Sequence, residues 1–576
     1  MRRPLVLLVI ILLASPAYAA HFKGWIKGYI GEGWVLGEYV VPVDDGIVVA
    51  GRTTDTPSGG WGVFVMKFDR EGNVEWSKVW EARSDVYAIT GVVIDSKGRI
   101  YVAGILTNVK SKKDGFIVAF SPEGQLLWQK LIKTDKDDFL SSIAVGSDGL
   151  YVAGSSEGLE FETGTVASAF LAKFDAGGNP VWVKAYENGY YTAFDSVALM
   201  RNKVFVSGRI AIPGECDVLR ARVWLVRLSS NGNIELQKMI KAPSVKTLLS
   251  FNGNILGAAG STLFVMDEEG NVKWARNLKL HHRQDIYSVS ASRKGLVVTT
   301  EEGELLLLTP DGKPLRGMKL SFYPYTGGEN IARGFWEDDH VIAVGTFTSE
   351  RDHYDKLLVL KLPTNFPYGN MIRPLGKVES SPVEFKYLGA PEVEVRDAGN
   401  MLKVLNCNGT LSEWAPETVW MYPWARLEVI VPSFGAFVRL KSKHYSVDFA
   451  PGHSVNLTVL PDTYNISVTP QIPGSFKLQE FNTTVSINPG DELVLYVDFE
   501  TGKAYLRKVN ENTTTPQTST EGTTSTISKT ESRTTGSTAR SEGTSSTPSE
   551  KSTKDGGICG PVAIIAVALL PLLRKR

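Results

Sequence analysis

The sequence predicts an all-β protein: a seven-bladed β-propeller closed by its own N-terminal strand, a smaller β-sandwich-like domain, a disordered Ser/Thr stalk and a C-terminal hydrophobic tail. Three observations carry this. Strand-sized apolar runs recur between Gly-containing turns, the recurring pieces start out of step with the end of the array, and the composition breaks near residue 509. A chain of 576 residues is too long for one ordinary core, so several domains are expected. Lys plus Arg equals Asp plus Glu at 62 each, which gives no global case for nucleic acid.

One repeat unit reads Asp95-Ser96-Lys97-Gly98-Arg99-Ile100-Tyr101-Val102-Ala103-Gly104, then Gly115-Phe116-Ile117-Val118-Ala119-Phe120, then Glu123-Gly124-Gln125-Leu126-Leu127-Trp128. Each piece is a short alternating or apolar run bounded by a turn, which is strand chemistry. The middle strand recurs seven times, at 63–68, 116–120, 170–174, 224–228, 263–266, 305–308 and 357–362. The outer strand, marked by Trp76, Trp128, Trp182, Leu236, Trp274 and Leu315, occurs six times before Pro363 and Pro367 intervene. Its seventh copy stands at the front of the mature chain, where Gly24-Trp25-Ile26-Lys27 matches Glu75-Trp76-Ser77-Lys78. An N-terminal strand that completes the last blade closes a ring without a free edge. A solenoid has no need of such pairing. The propeller is therefore placed at 22–367. Tyr101-Val102-Ala103-Gly104, Tyr151-Val152-Ala153-Gly154 and Phe64-Val65-Met66-Lys67-Phe68-Asp69 resemble the secreted bacterial and archaeal β-propeller repeat family. That resemblance implies fold and little about function.

Within a blade, tight turns such as Asp69-Arg70-Glu71-Gly72-Asn73 lie on one face, with Asp bonding backbone amides and Gly supplying positive φ. They lack the ligand spacing of a calcium loop. The opposite face carries long loops in blades one to four and seven and short ones in blades five and six. A ligand cleft is expected over that low side, near His281, His282, Arg283, Tyr323, Tyr325 and Trp336, with ordinary solvated loops as the alternative. Asp85, Asp138, Asp195, Asp285 and Glu329 recur where the innermost strands begin, either ringing the channel mouth as a cation site or capping their own turns.

Residues 371–508 alternate as strands between Pro/Gly turns, and a β-sandwich-like domain is placed there. Leu460-Pro461-Asp462-Thr463-Tyr464-Asn465-Ile466-Ser467-Val468, followed by Thr484-Val485-Ser486-Ile487-Asn488-Pro489-Gly490-Asp491-Glu492, resembles PEGA-type surface modules, with Asp462 where those carry Gly. The sequons at Asn408, Asn456, Asn465, Asn482 and Asn512 are glycosylation candidates, all expected in this domain or the stalk. The three cysteines, Cys216, Cys407 and Cys559, are too few for a disulfide-built fold, with a Cys216–Cys407 pair across modules as the alternative to free thiols.

The two ends point to export. Arg2 and Arg3 precede an apolar run from Leu5 to Leu13, and Ala17 and Ala19 are the small residues read by a signal peptidase, giving a signal peptide at 1–19. Residues 509–555, more than half Ser or Thr, cannot bury enough apolar surface to fold and read as a glycosylated stalk. The tail at 556–576 contains Cys559-Gly560-Pro561, an apolar run and Arg574-Lys575-Arg576. It resembles the CGP-type C-terminal sorting signals of hyperthermophilic archaeal surface proteins, which implies processing near the tail and lipid attachment at Cys559. A retained transmembrane helix is the alternative reading.

No nucleophile elbow, zinc motif, P-loop or Rossmann fingerprint occurs. His281 and His282 are adjacent, so on a strand they face opposite sides and suit no single metal. The expectation is a non-catalytic adhesion or binding protein, without cofactor, held at the extracellular face of the membrane by its tail. Its ligand is a glycan, peptide or protein. The alternatives are a surface polysaccharide or peptide hydrolase, a quinone-dependent dehydrogenase, or a structural component of the cell envelope.

Overall fold

A computed structural model describes residues 24–108, 111–159, 165–211, 221–242, 244–280, 284–323, 326–349, 352–366, 368–432, 435–472, 474 and 476–509. The signal peptide with Ala17 and Ala19, His281, His282, Arg283, Tyr325, Cys216, Asn512, the stalk and the tail with Cys559 lie outside the described residues. The described elements are all strands. They form seven five-stranded sheets and two four-stranded sheets.

Sheet one contains Val35–Val43, Gly46–Thr53, Gly62–Asp69 and Val74–Glu81 in antiparallel order. Sheets two to six repeat this meander through Leu320. Sheet seven contains Thr326–Glu337, His340–Ser349 and Asp355–Pro363, and its fourth strand is Trp25–Ile30 from the other end of the chain. The innermost strand of each sheet packs on the next sheet in cyclic order, and Val35–Val43 of sheet one packs on sheet seven, so the array closes on itself. The third strands explain why. Gly62–Asp69 and Lys113–Phe120 are buried along nearly their whole length because sheets cover both faces. Hence they read as unbroken apolar runs rather than alternation. The arrangement is all-β and propeller-like.

The recurring Trp residues staple neighbouring sheets. Trp76 lies over the 3–4 turn of sheet two and donates from Nε1 to Pro122 O at 3.0 Å. Trp128 does the same over sheet three, with Ala176 O at 3.0 Å. The turn must carry Gly. Gly124 has φ 79°, and a Cβ there would fall 2.8 Å from the Trp76 ring. Trp25, Trp182, Leu236 and Trp274 sit on Gly72, Gly232, Gly270 and Gly312 in the same way. Leu315 stays 57% exposed. Sheet seven has no 3–4 turn for it to dock on, because its fourth strand comes from the N-terminus.

The placement of a sandwich over 371–508 needs correction. Residues 372–422 form no sheet of their own. Ile372–Pro374, Glu379–Pro382, Tyr387–Gly389, Glu394–Asp397, Lys403–Asn406 and Thr410–Glu413 add a fifth strand to sheets six, five, four, three, two and one in turn. Glu417–Tyr422 then pairs with Trp25–Ile30 on sheet seven. The chain thus runs back around the ring as a belt, covering every outer edge. Strands this short cannot hold a sheet together by themselves, so their partners are edges already in place. Side chains fix the belt. Gln129 accepts from Gly409 N at 3.0 Å and donates to Gly409 O at 3.1 Å. Gln237 donates to Pro391 O at 3.0 Å, and Ser77 donates to Trp414 O. Ala398, Leu402 and Trp414 are buried in the ring's cores.

The sandwich itself spans Ala425–Ile430 to Lys503–Lys508, two four-stranded sheets with one parallel pair. Strands such as Ala436–Lys441 alternate buried and exposed along their length, as a sheet with one face on a core must. Its core is continuous with that of sheets six and seven through Phe366, Met371, Met421 and Tyr422. At the junction His444 Nδ1 lies 2.9 Å from Asp462 and Nε2 lies 3.1 Å from Glu417 of the belt. Tyr422 is opposite Ile26, at the tight-turn end of sheet seven. The sandwich therefore leaves from the tight-turn face, away from the long loops.

Candidate binding site at the channel mouth

All seven innermost strands are interrupted by a bulge near their start. The pairing skips one residue in five of them, Glu38, Ser141, Asp195, Lys246 and Tyr287, and slips twice in the other two, at Tyr87 and Thr90 in sheet two and at Gly328-Glu329 and Ala332 in sheet seven. A bulge frees one residue from the ladder and re-aims its side chain. Glu38, Tyr87, Thr90, Ser141, Asp195, Lys246, Tyr287 and Ala332 are each at least partly exposed, while the residue before each is buried. Glu38, Thr90, Ser141, Asp195, Lys246, Tyr287 and Ala332 fall at equivalent rungs and form one level of the central axis, while Tyr87 and Gly328-Glu329 lie two rungs nearer the long loops.

Ion pairs occupy much of this level. Glu38 accepts from Arg52 Nε at 2.7 Å, and Arg52 also donates to Tyr87 O at 2.6 Å. Asp195 takes Arg209 at 2.9 Å, and that carboxylate holds the guanidinium pKa above its ordinary value. Lys246 lies 3.8 Å from Glu301. Arg333 differs. It donates from Nη2 to Tyr39 Oη at 3.1 Å, lies 4.1 Å from the Tyr39 ring and faces the Tyr287 ring at 6.0 Å. Its Nε is buried without a hydrogen-bond partner among the described residues. Burial pushes the Tyr287 phenol up to about 12, with Arg333 working the other way, so the ring is neutral at physiological pH.

The recurring acids do not act as one ring. Asp85 accepts from Trp61 N at 2.9 Å and holds the loop of sheet one. Glu329 accepts from Phe322 N at 3.1 Å and from the Thr326 hydroxyl. The Asp285 backbone carbonyl accepts from Glu301 N at 3.3 Å. The pairing skips two of these acids, Asp195 at the common rung and Glu329 at the outer slip of sheet seven. Among the described residues no three His, Cys, Asp or Glu side chains gather to hold a metal ion.

Asp138 is fully buried and accepts from the Thr134 amide and hydroxyl. Burial raises its pKa to about 6, against hydrogen bonds from Ser156 and Thr134, and Asp114 adds to the rise. A raised folded value means the native state binds the proton more tightly than the unfolded chain. The resulting stabilisation is full below the unfolded value of 3.8 and is lost as pH rises through about 6. Asp138→Asn should abolish this slope, which is worth up to about 3 kcal/mol. Melting temperatures between pH 4 and pH 7.5 check it, and equal slopes in variant and wild type would show that Asp138 contributes none.

Of the six residues expected around a cleft over the low side, only Tyr323 and Trp336 are described, and they do not lie together. Tyr323 is 76% exposed at the long-loop end of sheet seven's inner strand. Trp336 lies at the opposite end of that strand, where it donates to Asp338 O at 3.1 Å and packs on Gly295. Ten residues of strand separate the two ends by roughly 30 Å. The sequence carried Asp195 but not Arg333, Tyr39 or Tyr287. A bulge shows only as a local slip in pairing, which a single strand's periodicity does not reveal. Lys279 is paired with Glu379 of the belt at 3.2 Å.

No family model and no curated protein matches the chain. Solved structures similar to it include BamB from Moraxella catarrhalis, at 12% identity and TM-score 0.33, covering 57% of this chain and 100% of that one. BBS1N in complex with ARL6DN is similar at 10% identity and TM-score 0.34, covering 59% of this chain and 94% of that one.

Proposed function

We propose that the chain is a non-catalytic binding protein of the cell surface, presenting a seven-bladed propeller on a glycosylated stalk held by a CGP-type tail. The placement of the channel mouth carries this reading. The bulge level and the long loops lie on one face of the ring, and the sandwich leaves from the other. Because the stalk follows the sandwich in sequence, the mouth faces away from the anchor. Loops on a rigid scaffold are where recognition usually resides. The two carboxylates of the bulge level, Glu38 and Asp195, are each held by an arginine, which leaves neither free for hydrolytic acid–base work.

The sequons fit a decorated support, with one change. Asn456, Asn465 and Asn482 are exposed on the sandwich. Asn408 is exposed as well, but it lies on the belt between sheets two and one, so the ring is not free of acceptor sites as expected. Intact-mass analysis of the protein extracted from its native membrane tests the reading. The expected product lacks residues 1–19 and carries glycan mass and a lipid at Cys559. Failure of protease treatment on intact cells to release the propeller would contradict surface display.

A further inference from the structure

We propose that the channel mouth binds an acidic saccharide, with the oxyanion on Arg333 and the sugar ring against Tyr39 and Tyr287. This rests on reading the mouth as the binding face and names the chemistry it takes.

Charge is the first argument. Two guanidinium groups, Arg52 and Arg333, stand where sheets one and seven meet, and the carboxylate there, Glu38, is paired with Arg52, while Arg333 bonds the Tyr39 hydroxyl. Glu38 lies 2.7 Å from Arg52. Arg333 has no carboxylate in ion-pair contact among the described residues. By contrast, Arg209 on the far side of the axis is matched by Asp195. A half-buried cation without a counter-charge is costly, and a bound anion would relieve the cost.

Geometry is the second. Arg333 is held rather than free. The Tyr39 ring lies under it and the Tyr39 hydroxyl fixes one nitrogen. A planar guanidinium fixed in this way presents its remaining N–H groups as a fork, the shape that carboxylate and sulfate oxygens match. Its Nε is shielded from solvent and unpaired among the described residues, so the donors left to meet an anion are those of the two Nη groups not bonded to Tyr39.

The surroundings select what carries the anion. Tyr287 is freed by a bulge and meets Tyr39 across Arg333, while Tyr87, freed as well, has its ring 5.4 Å from Lys113 Nζ. Aromatic faces stack on the C–H faces of pyranose rings, and phenols and serine hydroxyls offer both donors and acceptors to sugar hydroxyls. An apolar peptide anchor would instead need an aliphatic pocket, and of the residues freed at the common rung, Glu38, Thr90, Ser141, Asp195, Lys246, Tyr287 and Ala332, only Ala332 is aliphatic, with a single methyl.

The test is calorimetric titration of the full chain in detergent with trigalacturonate, a sulfated trisaccharide, a neutral trisaccharide and a tripeptide with a free C-terminal carboxylate. Binding of an acidic saccharide and not the neutral one is expected, and the first two arms tell carboxylate from sulfate. Arg333→Met should weaken it about 10- to 100-fold, with Arg333→Lys in between. Tyr287→Ala gives a second variant that keeps the charge and removes a stacking face, and it should weaken acidic saccharide binding too. The inference fails if acidic and neutral saccharides bind alike, if none binds, or if the tripeptide binds more tightly. Each of these would leave the surface-display reading to be decided by proteolysis on cells.

Discussion

A chain truncated after Phe366, the end of the last propeller strand region, is expected to aggregate rather than fold as a free propeller. Removing the belt strips the fifth strand from all seven sheets at once. Seven outer strands then present unpaired N–H and C=O groups, and such edges pair with other chains. The loss also opens the cores. Trp414, 9% exposed, lies 5.2 Å from the Phe64 ring and donates to Asp55 at 2.8 Å. Ala398 and Leu402 fill the core between sheets two and three. A milder variant isolates one anchor. Trp414→Ala should cost about 3–5 kcal/mol. Light scattering on the truncated chain and denaturant melts on Trp414→Ala check both. A monomeric truncated chain melting like the whole protein would show that the belt is dispensable.

The ring was legible because its signals are local. Each middle strand is an unbroken apolar run, each 3–4 turn is an Asp-to-Gly phrase, and the orphan copy at Trp25 announced the closure. The belt was not legible. Its strands are three to six residues long between Pro and Gly, and alternation shows that a segment is extended without naming its partner. A trace existed in retrospect. Ser77, Gln129 and Gln237 are polar at equivalent places just after the docking Trp or Leu, and all three bond belt backbone. The candidate site divides in the same way. Asp195 was visible as a recurring acid. Arg333 with its two tyrosines depends on bulge register and on three sheets meeting across the axis. Tyr323 and Trp336 both read as parts of the blade connections beside the low side, but Trp336 lies within the strand Thr326–Glu337, whose length sends the two to opposite faces.

The second large effect is expected at the N-terminal strand. Trp25–Ile30 is not an edge but the fourth of five strands, between Asp355–Pro363 and the belt's last strand Glu417–Tyr422. It is buried along almost its whole length. Lys27, 3% exposed, donates to Gly72 O at 2.7 Å and lies 4.3 Å from the Trp420 ring, tying sheet one and the belt to the same strand. Ile26 is fully buried in the core shared with the sandwich. Ile26→Asp would place an unpaired carboxylate there, at a cost of several kcal/mol. It should loosen sheet seven and the belt together. Amide hydrogen exchange, followed by mass spectrometry on wild type and Ile26→Asp, tests the closure directly. The account predicts that Trp25–Ile30 and Glu417–Tyr422 exchange as slowly as Asp355–Pro363 in the wild type, and that the three segments lose protection as one in the variant. Rapid exchange of Trp25–Ile30 in the wild type, with sheets one to six still protected, would contradict a ring closed by its own N-terminus.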